Sequence, residues 1–503
     1  MTLGDRIEKW AWWLDRRPAV VVALLAGIYI FLISGSVFRH LWFDELHTFY
    51  IAQAPSIRKV FEEISLLDMN PPLSYLLVRA SLMLSGNPEL GARLPMILGF
   101  FLGSAGMFAF VTRRAGSLWA ATAVGVFWFS SFITYATEAR PYGVLLGSLG
   151  LMLLCWDPAI GGGRRTLALV GLAAGNAGMT LSHVYAPLWV VPFWAAELTR
   201  GWRARRIDWP LWCALVLPFG LAFTYLPMLR SAAGSIPPPV HVGSPAKAAW
   251  FLARVFLQIA IPLIAAAIVG FALALWRRTT PPAAAHFRAG DLAILLGSLV
   301  PPVVINVVGA QRHIAFYDRH ALLTVPMACM LLILLLAFEC KTNRLAGGAA
   351  AAVALILALM PLQRWLRPAP PQESHMLDFQ RFRPDLPLVT NSALTFLEMD
   401  RYEDSALVAR LYYLVDLQSA LRYDHSNLTE GLPTLKKYFP IRGTVSQYSD
   451  FAAAHRRFLV WGVTDQSGWL LRKLKTEGAQ VNEIGKFDTV YADSQLFEVD
   501  LDP

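Results

Sequence analysis

The sequence predicts a polytopic α-helical membrane protein of about eleven transmembrane helices, followed by a small external α/β domain at the C-terminal end. Three observations predict it. Hydrophobic residues make up 56% of the chain and charged residues only 16%, with a mean hydropathy of +0.46, against roughly 25% charged in a soluble domain. The apolar residues come in runs close to the ~20 residues that a helix needs to cross a bilayer. After residue 365 the texture changes to mixed polar sequence with short apolar runs.

The apolar runs fall near 18–38, 91–112, 117–136, 141–156, 166–181, 185–199, 209–228, 250–275, 291–309, 320–338 and 345–362. Orientation must alternate from one to the next, and the positive-inside rule checks the count independently. With the N-terminus inside, the inner connections carry Arg16/Arg17, Arg113/Arg114, Arg164/Arg165, Arg203/Arg205/Arg206, Arg277/Arg278/Arg288 and Lys341/Arg344. Every strong basic cluster of the apolar part then lies on one side. The net charge of +9 thus reads as membrane topology and not as a nucleic-acid footprint. The start, MTLGDRIEKWAWWLDRRP, is followed by no small-residue cleavage site, so the first run is expected to be a retained span. The four cysteines lie in the apolar part, and neither a disulfide framework nor a zinc-type cluster is legible.

The same alternation places on the outer side Asp44/Glu45, Asp68/Asn70, Glu138/Arg140, His183, Arg230, and Arg312/His313/Asp318/Arg319/His320. The first external loop, about 39–90, is too apolar for a plain connection. In LWFDELHTFYI the residues Trp42, Phe43, Leu46, Phe49 and Tyr50 recur at helical spacing and leave Asp44 on a face with His47 and Thr48, the pattern of a helix lying in the membrane interface. A second such helix is expected in NPPLSYLLVRASLMLS, with Asn70 as its cap and Pro71 in its first turn. An odd number of spans leaves the tail outside. The Pro-rich RPAPPQES (367–374) marks its boundary, giving domains 1–365 and 366–503. Within the tail, LPLVT (386–390), RFLVWGV (457–463) and SQLFEVDL (494–501) read as strands, while SALVARLYYLVDLQ (405–418) and SGWLLRKLKTEG (467–478) read as helices.

Four of these stretches together resemble the GT-C-type glycosyltransferases, in the branch of the protein O-mannosyltransferases and the bacterial lipid A aminoarabinose transferases. The acidic residue that follows the first span in that family is matched by WFDE at 42–45. A downstream H-P-P-L-like element is matched by Asp68-Met69-Asn70-Pro71-Pro72-Leu73, an A-R-P-Y element by Ala139 to Tyr142, and a late R-Y-x-x-x-x-x-P-like element by Arg319-His320 through Pro326. The resemblance covers about residues 10–365. Asn70 stands where His is common and His320 where Tyr is common, and Asn70 weakens the case for a metal site shared with the family.

The resemblance implies an integral-membrane enzyme of the bacterial cytoplasmic membrane that moves a hexose or pentose from a polyprenyl-phosphate donor to a lipid, glycan or protein acceptor, with inversion. The chemistry explains the parts. A phosphate leaves well once its charge is neutralised, so one carboxylate as base and arginines for the departing group suffice. Asp44 is expected to be the base, with Glu45 orienting it or the acceptor. Arg140 and Arg319, with Tyr142 beside them, would hold the donor phosphate, since a guanidinium forks onto its oxygens. Asp68, Asn70, His183 and His320 are expected to line the substrate site. No cofactor is implied with certainty; a divalent cation, if one is used, would fall to Asp44 and Asp68. Plainer readings stand beside these: a solvated acidic pair, arginines snorkelling to headgroups, a hydrogen-bonded histidine at 183, and a loop acid at 68. The alternative function is a transporter or lipid flippase, but such proteins carry mid-span charges and inverted repeats, which are not seen here.

Overall fold

The computed structural model describes residues 3–68, 70–161, 163–226, 245–276, 288–311, 317–360, 383–424, 431–463, 468–487 and 494–502. Met69, Arg230, Arg277, Arg278, Arg312, His313 and the linker 367–374 lie outside them, as does the side chain of Asp318. The described residues form two compact units. One comprises residues 3–38, 68–226 and 245–360; the other comprises 39–67 and 383–502.

The first unit is helical. A helix stands at each place where a span is expected, but among the described residues only four helices, at Pro88–Ala115, Tyr142–Gly161, Phe256–Leu275 and Ala289–Gly309, are long and apolar enough to cross a membrane. Two further pairs, Arg6–Asp15 with Pro18–Ile33 and Ser117–Phe129 with Ser131–Thr137, qualify only as spans bent by 93° and 85°. The other apolar helices are shorter than their hydrophobic runs. Thr324–Glu339, for example, has 16 residues, or roughly 24 Å at 1.5 Å per residue.

The unit is built around one close helix pair. Pro88–Ala115 carries Gly99, Gly103 and Gly106, and Tyr142–Gly161 carries Gly143, Gly147 and Gly150 at the same spacing. A Cβ on Gly147 would sit 2.7 Å from the Gly99 Cα, and one on Gly103 would sit 2.9 Å from the Leu146 carbonyl oxygen. Small residues let backbones touch where apolar burial offers no force between helices. The pair runs parallel, with Gly99 beside Gly143 and Gly106 beside Gly150.

At the end of this pair that carries the basic clusters, charges are neutralised in groups. Asp157 takes Arg113, Arg114 and Arg288 at 3.2, 3.0 and 3.1 Å, and buried Asp291 takes Arg114 as well. Asp208 binds Arg165 and Arg200. Arg344 reaches Asp15 at 2.8 Å.

The second unit is an α/β domain with a six-stranded sheet: β1 (Leu388–Thr390), β2 (Leu411–Val415), β3 (Thr444–Gln447), β4 (Arg457–Val463), β5 (Gln480–Phe487) and β6 (Ser494–Asp500), ordered β3-β2-β1-β4-β6-β5. The first four are parallel, and β6 is antiparallel to both β4 and β5. The expected strands near 388, 457 and 494 are present, as is the helix in 467–478, here Trp469–Thr476. The expected helix over 405–418 is corrected. Ser405–Ala409 and Leu417–Tyr423 are short helices flanking the interior strand β2. Leu411, Leu414 and Val415 are buried on both faces, which erases the alternation by which a strand is recognised.

Residues 39–67, read from sequence as part of the membrane part's first loop, cluster with this sheet domain. They form the expected helix, here Phe43–Ala52, and one that sequence patterning had not separated, Ile57–Leu67. The first of these is no free interfacial helix. It packs on the helix Ala393–Tyr402 and buries Glu45, Leu46, Thr48, Phe49 and Tyr50.

Candidate functional site

In the helical unit, the loop after residue 67 is tied down twice. The Leu73 amide donates to the Leu181 carbonyl at 3.0 Å, which fastens the Asp68–Pro72 stretch to the loop carrying His183. Asp68 Oδ2 accepts the Tyr75 hydroxyl at 2.6 Å and faces Arg140 at 3.5 Å, while Oδ1 accepts the Asn70 side-chain amide at 2.9 Å. Asn70 is therefore not the helix cap that the sequence suggested. The helix starts at Leu73 with Pro72 in the cap position and no side-chain cap, and the Asn70 side-chain amide donates to the Asp68 carboxylate instead.

Arg140 and Arg319 both act electrostatically on the Tyr142 hydroxyl, which Arg140 also hydrogen-bonds. Tyr142 opens its helix, and the rings of Tyr142, His183, Tyr185 and His320 follow in a chain with centroids 6.2, 5.6 and 5.3 Å apart. Arg319 lies 4.4 Å over the Tyr317 ring. Burial pushes the His183 imidazole down to about 3, aided by His320, Arg140 and Arg319 and opposed by Asp68. At neutral pH it is uncharged. Its Nδ1 accepts from the Tyr185 amide at 3.3 Å, and His320 Nδ1 accepts from the Tyr317 amide at 3.2 Å. In a neutral imidazole that places the proton on Nε2, a donor suited to an oxyanion or hydroxyl. Between the histidines, a cavity of about 10 Å³ is bounded by Tyr185, Trp189, Arg319 and Leu145, about the room one water needs.

The helical unit thus brings together Asp68, Asn70, Arg140, Tyr142, His183, Arg319 and His320. Tyr75 and Tyr185 are further members that sequence reading missed. Tyr75 lies in the first turn of Leu73–Leu84 among apolar residues and gives no motif; Tyr185, two residues after His183, was within reach.

Asp44 and Glu45 belong to the other unit. Asp44 is half-buried in the first turn of Phe43–Ala52. Glu45 is fully buried, accepts the Trp42 amide at 3.2 Å as a cap of its own helix, and lies 3.8 Å from Arg39. The start of this helix is held from the tail. The Phe43 amide donates to Glu398 at 3.2 Å and the Leu41 amide to the Tyr402 hydroxyl at 2.8 Å, while His40 stacks on Tyr402 at 3.8 Å. Arg401 lies 4.3 Å over Phe49. Burial raises Glu398 to about 7, with Phe43 and Arg39 opposing and Glu45 adding to the rise. Glu398, Arg401 and Tyr402, which the sequence reading missed, fall at helical spacing on one face, the one signal that could have found them.

Among the described residues, no group of three or more His, Cys, Asp or Glu could hold a metal ion. Asp68, one of the two acids expected to serve one, gives its oxygens to Tyr75, Asn70 and Arg140. The donor set of the helical unit therefore fits an anion better than a cation.

No protein-family model matches the chain, and no curated protein does. Among solved structures, the chain is similar to ArnT from Cupriavidus metallidurans bound to undecaprenyl phosphate, with a TM-score of 0.50 at 15% identity over 95% of this chain and 97% of that one. The apo state of the same protein matches with a TM-score of 0.41 at 15% identity over the same shares. The likeness is one of fold, and it bears out the ArnT-like fold that the sequence motifs implied.

Proposed function

From that shared fold, we propose that the protein is a membrane glycosyltransferase that takes a sugar from a polyprenyl-phosphate donor and passes it, with inversion, to a lipid, glycan or protein hydroxyl on the extracytoplasmic face of a bacterial cytoplasmic membrane. One observation carries the reading: Arg140 and Arg319 both act on Tyr142 beside two neutral-capable histidines, on a fold shared with a solved structure bound to undecaprenyl phosphate. Two guanidiniums neutralise the developing phosphate charge, and Nε2–H groups supply further donors. Asp68 holds Arg140 in place and leaves Arg319 for the second side of the phosphate.

In the proposed step, Asp44 takes the proton of the acceptor hydroxyl as its oxygen attacks the anomeric carbon. The bond from that carbon to the phosphate oxygen breaks, and the electron pair leaves with the polyprenyl phosphate. Glu45 is a positioning residue in this scheme, since it caps the helix that carries Asp44.

The test is Asp44→Asn in purified protein supplied with lipid-linked sugar. Donor binding and stability should be retained while transfer falls ~10²–10⁴-fold, the range of general-base catalysis, and EDTA should change nothing. Turnover at the wild-type rate would remove Asp44 from the centre. Loss of donor binding together with restoration by added divalent ion would make Asp44 a ligand instead.

A further inference from the structure

A second charged site lies in the helical unit, far from Arg140 and Arg319. The helix Tyr142–Gly161 begins beside Arg140, and its last turn, roughly 30 Å away at 1.5 Å per residue, borders a cleft of about 940 Å³. The walls come from the ends of Pro88–Ala115, Tyr142–Gly161, Val191–Ala204 and Ala289–Gly297. Trp156, Pro158 and Ala196 make the inner surface apolar, while Arg113, Arg164, Arg200, Arg203 and Arg288 line it together with only two acids, Asp157 and Asp291.

The charges are not all spent on one another. Asp157 serves Arg113 and Arg288, and Arg200 is held by Glu197 and Asp208. Arg164 and Arg203 are exposed and make no ion pair among the described residues. Among the described lining residues the unbalanced positive charge of this concave surface therefore centres on Arg164 and Arg203. Low-dielectric walls concentrate such a field. Ordinary snorkelling would scatter guanidiniums outward along the helix ends; here four helices turn them into one cleft with an apolar floor.

We propose that this cleft binds a phosphate-bearing ligand, and that the ligand is the headgroup of an acidic phospholipid. Free phosphate shares the charge, but it has no use for the apolar floor formed by Trp156, Pro158 and Ala196, against which glycerol and the first methylenes of a lipid would lie. Basic pockets between helices at a membrane surface take such headgroups. The site is independent of sugar transfer and would stand if the proposed reaction were wrong.

The experiment uses the full chain, delipidated in neutral detergent, and native mass spectrometry or equilibrium binding with short-chain phosphatidylglycerol, short-chain phosphatidylcholine and inorganic phosphate as separate probes. Arg164→Gln/Arg203→Gln removes two exposed charges without touching an ion pair that holds the fold. The control is Arg205→Gln/Arg206→Gln, which removes the same charge just beyond Arg203 at residues that do not line the cleft. Each guanidinium near an anionic lipid changes affinity about fivefold. The first double variant should therefore weaken phosphatidylglycerol binding roughly 25-fold, with phosphatidylcholine binding unchanged and the control within about threefold of wild type. Equal losses in both variants would mean general surface charge and overturn the site. Equal binding of the two lipids would do the same, and binding of inorganic phosphate with no preference for phosphatidylglycerol would overturn the lipid assignment.

Discussion

Glu398 provides a test of how the tail controls the helix that carries Asp44. Its carboxylate accepts the Phe43 amide, one residue before Asp44, and burial raises it from 4.5 to about 7. A carboxyl whose folded value lies above its unfolded one contributes stability that is fully present below about pH 4.5 and is lost as pH rises through about 7. That interval of roughly 2.5 pH units, at about 1.36 kcal/mol each, makes about 3 kcal/mol, of which about 2 kcal/mol falls between pH 5 and pH 7. Hydrogen exchange, corrected for the intrinsic pH dependence of the amides, reads this locally. Protection of residues 43–52 and 393–402 should fall about 30-fold from pH 5 to pH 7 in the wild type. Glu398→Gln, which keeps the acceptor oxygen and cannot ionise, should flatten the profile. If the wild type is flat, or if the glutamine variant keeps the slope, then Glu398 does not titrate at this contact and the reasoning fails.

Three further outcomes can be checked. Arg319→Lys keeps the charge but loses the fork, so donor use should drop roughly tenfold, and Arg319→Ala should lose up to about a hundredfold, for a charge-assisted hydrogen bond of about 1.5–3 kcal/mol; kcat and KM with lipid-linked sugar measure it. Gly147→Leu should lower the thermal stability of the detergent-solubilised protein by about 1–3 kcal/mol through overpacking, whereas Gly27→Leu, where an added Cβ meets nothing within 4 Å, should not. Cysteine labelling in cells should find the connection at 200–208 shielded on the inner side and the domain beyond residue 383 accessible from outside; labelling of that domain only after lysis would undo the proposed orientation.

Much about this protein was decided locally. Membrane class follows from composition, helix positions from runs near bilayer length, and β4, β6 and the helix Trp469–Thr476 from periodicities that the chain reads over a handful of neighbours. The motif residues Asp68, Arg140, Tyr142, His183, Arg319 and His320 were legible for the same reason, as polar residues at the ends of apolar runs. Contacts between distant segments were not legible. Leu41 meets Tyr402 361 positions away, and Phe43 meets Glu398 355 away, so the holding of the Asp44 helix by the tail exists only once both segments have folded. LYYLV became an interior strand because β1 and β3 cover its edges and burial on both faces hides its period. Asn70 does not cap because the helix begins only at Leu73, with Pro72 in the cap position. Sequence pattern determines which surface of an element is apolar. Only tertiary structure decides which partner's surface, charge or hydrogen-bonding group meets it, and burial at that meeting is what moves Glu398 and His183 away from their ordinary protonation.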